Sequence, residues 1–197
     1  MRQDDDVFTP KGSITVITGC MFSGKSEITL RELRRMEIAR RRILLLRPAL
    51  DDRTDLEVVK SRSGAAYPAH AIRSSAEILR IATADRADVV AIEEAQFIDE
   101  GVVDVAEALA RRHVAVIVNG LNQDFLGRPF GPLPRLMAIA DKVTVLTAIC
   151  TVCGDEATKT QRLVDGRPAT PDDPLIVIGG FADERYEARC RTHHLVG

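Results

Sequence analysis

The chain has 197 residues, 45% hydrophobic and 4% aromatic, with 27 Lys plus Arg against 29 Asp plus Glu. That length allows one full domain and a small appendage, burying about 70% of the surface of the unfolded chain with no need of a disulfide scaffold. A net charge of −2 and the lack of Trp argue against a protein that works by non-specific binding to nucleic acid or to an anionic membrane, so neither is expected as a partner.

Residues 1–11 read as a polar tail. Asp4, Asp5 and Asp6 open it with no apolar segment of a secretory signal behind them, and no apolar run approaches the roughly 18 residues of a membrane span, so a cytoplasmic protein is expected. A β-branched run at 14–17 predicts a buried strand, followed by a glycine-containing turn and a helix from Lys25 to near Arg42. A second strand is expected at 43–46, closed by Pro48, and then a polar stretch at 51–64 with few structural cues. Helices at 76–82 and 102–112 alternate with strands at 89–92 and 114–118. A loop rich in Gly and Pro at 125–134, a short helix at 136–140 and a strand at 143–146 complete the layer. Strands that are unbroken aliphatic runs, alternating with helices, predict an α/β fold: a mainly parallel sheet with helices on both faces. The composition changes near Cys150, where cysteines and histidines bracket a Pro-rich segment with one more apolar strand at 175–178. The expected organisation is a tail at 1–11, an α/β domain at 12–148 and a small C-terminal lobe at 149–197.

Gly19, Cys20, Met21, Phe22, Ser23, Gly24, Lys25 and Ser26 fit the pattern Gly, four residues, Gly, Lys, Ser/Thr, between a predicted strand and a predicted helix. Glycines let the backbone curl so that successive N–H groups point at a polyphosphate, and the helix N-terminus adds partial positive charge. Lys25 then reaches the outer phosphates and the Ser26 hydroxyl helps to hold magnesium; GTPases, ATPases and small-molecule kinases share such a loop, which by itself names no acceptor. After the strand at 89–92 come Glu93, Glu94, Ala95, Gln96 and Phe97. Carboxylates at the carboxyl end of a parallel strand lie beside the ligand crevice, and two adjacent ones point differently, one to a metal and the other to an acceptor hydroxyl.

Cys150 and Cys153 form one Cys-x-x-Cys pair, and Cys190 with His193 a Cys-x-x-His pair; His194 is an alternative fourth ligand. Two such knuckles make a closed tetrahedral site for structural zinc; the competing reading is a redox Cys-x-x-Cys, which typically stands near the start of a helix, whereas this pair follows the sheet. Cys20, inside the phosphate loop, reads either as a thiol activated by the helix N-terminus or as a simple filler of the loop. The arginines 31, 34, 35 and 40–42 are interleaved with Glu27, Glu32 and Glu37, which marks a solvated helix face or a subunit contact.

Together these motifs resemble the type II thymidine kinases from about Gly12 to His194, and that resemblance implies a P-loop (RecA-like) fold with ATP and Mg2+ as cofactor. The resemblance also rests on the Asp124, Phe125, Gly127, Pro129, Phe130, Gly131 loop, on Pro48, Asp51 and Arg53, on Thr160, Gln161 and Arg162, and on Gly179, Gly180 and Tyr186. It implies transfer of the γ-phosphoryl group of ATP to the 5′-hydroxyl of thymidine, deoxyuridine being a possible second acceptor, in deoxynucleoside salvage for DNA synthesis. On that basis Glu94 is the catalytic base, Lys25 and Arg53 act at the phosphates, and Glu93 and Gln96 join the phosphate loop in binding the cofactor. Met21, Phe97, Leu121, Phe125, Phe130, Thr160, Ile178 and Tyr186 fall on the thymidine-binding positions, with a lasso loop in the lobe closing over the base. A homotetramer inhibited by thymidine triphosphate (dTTP) is likewise implied. The chain departs from the family pattern at Cys20 (usually Pro), Glu93 (usually Asp), Arg47 (commonly Lys), Arg62 (often His) and Asn122 (commonly Asp). If those changes had removed catalysis, the alternative is a nucleotide-binding regulatory module with a zinc lobe.

Overall fold

The computed structural model describes residues 12–49, 58–60, 66–175 and 184–197. Arg53, Asp51, Arg62, Ile178, Gly179 and Gly180 lie outside the described residues. In chain order the elements are β1 (Ile14–Gly19), α1 (Lys25–Ile38), β2 (Ile43–Pro48), β3 (Val58–Lys60), β4 (Ala66–Pro68), β5 (His70–Ile72), α2 (Ser75–Ala84) and β6 (Val89–Ile92). A 3₁₀ turn (Ala95–Phe97), α3 (Val102–Arg111), β7 (Ala115–Gly120), α4 (Leu133–Ile139) and β8 (Lys142–Leu146) follow. The C-terminal part holds β9 (Ala148–Ile149), β10 (Glu156–Ala157), β11 (Lys159–Val164), β12 (Arg167–Pro168) and β13 (Glu184–Arg189).

Six strands form one sheet in the order β5-β2-β6-β7-β1-β8, and every neighbouring pair is parallel. The strands β2, β6 and β7 fill one side of β1 and β8 takes the other, so the strand order reverses at β1. In an open parallel sheet that reversal opens a crevice at the carboxyl ends of the strands.

Both faces of the sheet are covered, as the aliphatic strands predict. Val16, Leu44, Leu46, Val90, Ile92, Val116 and Val118 pack with residues of α2, α3 and α4, among them Ile78, Ala106, Leu109 and Leu136. Their neighbours Ile17, Leu45, Ala91 and Ile117 point the other way and pack against Leu30, Leu33 and Met36 of α1. Each buried aliphatic side chain contributes about 1.5–3 kcal/mol, which fixes the register of every central strand. Among the described residues no helix is long and apolar enough to cross a membrane.

Three helices end where the sequence carries no glycine. The helix α1 stops at Ile38, short of the expected Arg42, because Arg40 turns left-handed at φ 57°. The Arg40 N–H then donates to Glu37 O and the Arg41 N–H to Met36 O, a Schellman closure. Arg86 (φ 50°) and His113 (φ 61°) close α2 and α3 with the same pair of bonds. The helix α4 begins earlier than expected, at Leu133, since prolines are compatible with a first helical turn.

The largest differences from the sequence reading lie in short strands. The polar stretch at 51–64 contains β3, which pairs antiparallel with β4, and β5 joins the edge of the main sheet. The C-terminal part forms a β9–β10 ladder and a three-stranded antiparallel sheet in the order β12-β11-β13. The strand expected at 175–178 lies outside the described residues apart from Leu175, which sits in a bend.

Candidate active site

The phosphate loop joins β1 to α1 as its spacing predicts. Gly19 has φ 143°, and a Cβ there would lie 2.2 Å from Leu146 O at the end of β8, so the loop's first turn requires glycine. Gly24 caps α1 at φ 85°. Lys25 is buried, and its ammonium donates to the carbonyls of Gly19 at 3.2 Å and Cys20 at 2.7 Å. Burial pulls the ammonium below its usual pKa, against the opposing charges of Glu94, Cys20 and Glu93.

The acids follow β6. In register, Ile92 of β6 lies beside Val118 of β7, which sets Glu93 next to Asn119. Glu93 is buried, with Oε2 accepting from Ser26 Oγ at 3.1 Å and Oε1 from Asn119 Nδ2 at 2.6 Å. Burial, reinforced by the Glu94 charge, raises its carboxyl to about 7, while hydrogen bonds from Asn119 and Ser26 and the Lys25 charge oppose the rise. Glu94 follows in a left-handed turn at φ 51°. Its carboxylate accepts from the Gln96 amide, whose oxygen accepts in turn from the Leu121 N–H at 3.0 Å. Two carboxylates, one ammonium and one hydroxyl thus converge at the carboxyl ends of β1, β6 and β7. A hydroxyl and a carboxylate 3.1 Å apart beside a phosphate loop suit a hard divalent cation.

The C-terminal cysteines also meet. One ligand atom each from Cys150, Cys153, Cys190 and His193 lies within 4.8 Å of all the others. Regular tetrahedral zinc–sulfur geometry sets sulfurs about 3.8 Å apart, and the Cys153 and Cys190 sulfurs are 3.8 Å apart. His193 Nδ1 stands 3.2 Å from Cys190 Sγ and 4.0 Å from Cys150 Sγ. His194 is turned away, with Nε2 at 2.8 Å from the Phe125 carbonyl, so the cluster takes His193. Burial disfavours the Cys150 thiolate, but hydrogen bonds from the backbone of Cys190, Cys153 and Val152 outweigh it and bring the thiol down to about 6. Three thiols and an imidazole form a donor set that could hold zinc.

A family model described as "Thymidine kinase" matches residues 12–194. A thymidine kinase of Coprothermobacter proteolyticus is 50% identical over 191 residues, 97% of this chain and 94% of that protein. The chain belongs to the thymidine kinase family.

Of the positions that family resemblance assigns to thymidine, the structure brings several into contact. The Met21 N–H donates to Thr160 Oγ1 at 3.0 Å, which ties the phosphate loop to β11. Phe97 and Phe130 meet edge to face with centroids 5.5 Å apart. Leu121 is held through Gln96, and Tyr186 on β13 lies opposite Arg162 on β11. Phe125 is buried beneath the Arg162 guanidinium, 5.1 Å from its ring centroid. Cys20 fills the loop: it is buried, its thiol donates to Ala157 O at 3.3 Å, and burial raises its pKa despite the nearby Lys25.

Two residues at this site were not singled out from the sequence. Asn119 and Thr29 join the acids to α1. Arg162, known from the sequence only as part of the family resemblance, is 1% exposed and also donates to Pro174 O. The signal for Asn119 is a polar residue in phase with Ala115 and Ile117, where β7 otherwise buries apolar side chains.

Proposed function

We propose that this thymidine kinase family member is an ATP-dependent nucleoside kinase that moves the γ-phosphoryl group of ATP to the 5′-oxygen of thymidine, giving thymidine monophosphate. The observation that carries this reading is the convergence of the phosphate loop with Glu93 and Glu94 in a chain matched to the family over residues 12–194. Lys25 leaves its loop carbonyls to follow the outer phosphates, and the loop N–H groups cradle them. Glu94 accepts the proton of the 5′-hydroxyl as that oxygen attacks, and Gln96 orients it. Ser26 and Glu93 would hold magnesium, which neutralises phosphate charge when bound. Arg53 is proposed to assist at the phosphates.

Met21, Phe97, Leu121, Phe125, Phe130, Thr160, Ile178 and Tyr186 are proposed to wall the thymidine pocket, with deoxyuridine as a weaker acceptor. Base recognition by main-chain groups of the C-terminal lobe discriminates sharply, because a wrong base leaves buried amides unpaired. Zinc at Cys150, Cys153, Cys190 and His193 is structural in this reading, since four protein ligands leave no open position. The division at residues 148 and 149, the homotetramer, dTTP inhibition and a reducing cytoplasmic setting belong to the same proposal; four free thiols suit that setting.

The test is ADP release with Mg-ATP and each deoxynucleoside in turn, for the wild type and Glu94→Gln. Thymidine is expected to stimulate release strongly in the wild type, and the variant is expected to bind ATP without turnover. Silence with every nucleoside, or an unchanged rate in Glu94→Gln, overturns the reading.

A further inference from the structure

Asn119 is the last residue but one of β7, on the face where Ala115 and Ile117 pack toward α1. A strand that served only the core would carry another aliphatic side chain there. Instead a carboxamide, 1% exposed, makes three hydrogen bonds. Its Nδ2 donates to Glu93 Oε1 at 2.6 Å and to Thr29 Oγ1 at 2.8 Å, and its Oδ1 accepts from the Glu94 N–H at 3.3 Å. One planar group therefore spans the phosphate-loop helix, the carboxylate of one acid and the backbone of the next. A carboxylate in its place lacks the donors, and an isosteric leucine lacks both functions.

We propose that Asn119 is a positioning residue for phosphoryl transfer, holding Glu93 against Ser26 and Glu94 in its left-handed turn with a single amide. The inference rests on the kinase reading above. The long Glu93 side chain leaves its carboxylate three rotatable bonds. The Asn119 and Ser26 contacts, one on each oxygen, remove that freedom. Without Asn119 one oxygen is unanchored and the carboxylate turns away from the hydroxyl with which it would share a cation. The same loss frees the Glu94 N–H, so that the second acid's backbone relaxes from a conformation L-residues rarely adopt.

The experiment uses Asn119→Ala, Glu93→Asp and the double variant, with kcat, KM and calorimetric ATP affinity measured with and without magnesium. Asn119→Ala is expected to lower kcat and the magnesium-dependent part of ATP affinity by about 10- to 100-fold, the range for residues that orient metal ligands. Thymidine KM and magnesium-free ATP affinity are expected to stay within about 2-fold, which a general loss of structure would not permit. Glu93→Asp should cost far less in the Asn119→Ala background than in the wild type, because the contact it breaks is already gone. Asn119→Leu, nearly isosteric but without donor or acceptor, repeats the test if the alanine variant does not fold. Retention of magnesium-dependent affinity within about 2-fold, or strict additivity in the double variant, overturns the proposal. If the wild type turned over no nucleoside, the kinase reading alone would fail, and magnesium-dependent ATP affinity would still decide the role of Asn119.

Discussion

Glu93 makes the stability of the nucleotide-free protein depend on pH in a direction opposite to that of most paired carboxylates. Its carboxyl titrates at about 7 when folded, against an ordinary 4.5, chiefly because it is buried. Between those two values the folded chain keeps a proton that the unfolded chain has lost, so stability falls as pH rises through that window. At roughly 1.4 kcal/mol per pH unit, the interval corresponds to about 3 kcal/mol, absent below pH 4.5 and fully expressed above pH 7. Glu93→Gln keeps the shape and removes the titration. Urea unfolding of both proteins without nucleotide or magnesium, followed by circular dichroism from about pH 4.5 to 8, isolates the effect of Glu93 and its coupling to Lys25 and Glu94, because groups remote from it cancel in the difference. That difference is expected to grow in favour of the variant by about 3 kcal/mol across the range. A difference independent of pH would refute the reasoning. If Glu93 holds magnesium as proposed, binding of Mg-ATP should release a proton near pH 7, detectable as a buffer-dependent heat.

Three further outcomes are expected. Purified protein should carry one zinc per chain by elemental analysis, and Cys190→Ser should lose that zinc and melt at a lower temperature; wild type well below one zinc per chain would refute the metal assignment. Gly19→Ala places a methyl 2.2 Å from Leu146 O and 2.9 Å from Ser23 Oγ, and an overpacking cost of about 1–3 kcal/mol, if it falls on the nucleotide-binding form of the loop, predicts a roughly 5- to 150-fold weaker calorimetric ATP affinity; unchanged affinity would show that the loop tolerates the side chain. Arg40→Gly, Arg86→Gly and His113→Gly each relieve about 1–2 kcal/mol of left-handed strain at a cost of about 0.5–1 kcal/mol in the unfolded chain. Each should raise stability by about 0.5–1 kcal/mol in thermal melts, and no gain at any of the three would contradict the observed helix ends.

Elements whose signal is local were legible in the sequence. The central strands at 14–17, 43–46 and 89–92 are unbroken aliphatic runs, and both the phosphate loop and the cysteine pairs are defined by short spacing. Helix ends were not, because Arg40, Arg86 and His113 do the work expected of glycine. Strands of two or three residues, such as β9, β10 and β12, are too short to show any period. The supporting contacts of the site escaped for another reason. Asn119 meets Glu93 through parallel pairing of β6 with β7, and Met21 meets Thr160 across 139 residues of chain, so neither contact has a spacing to recognise. Family resemblance supplied Thr160 as a thymidine position but not its bond to the phosphate loop.

The Cys20 and Met21 contacts bear on how such a protein can be taken apart and reassembled. Cys20 packs in one cluster with Ala148, Cys150, Ala157 and Ala188, donates to Ala157 O, and is followed by a residue that donates to Thr160. A chimera that joined residues 12–148 of this chain to the C-terminal segment of a relative would keep every strand of the central sheet. It would also set a foreign backbone and side chain opposite two residues that had been fitted to the old ones. In recombination, the second and third residues of the phosphate loop therefore travel with the C-terminal segment, and an exchange that includes positions 20 and 21 should yield active enzyme more often than one that cuts cleanly at residue 148.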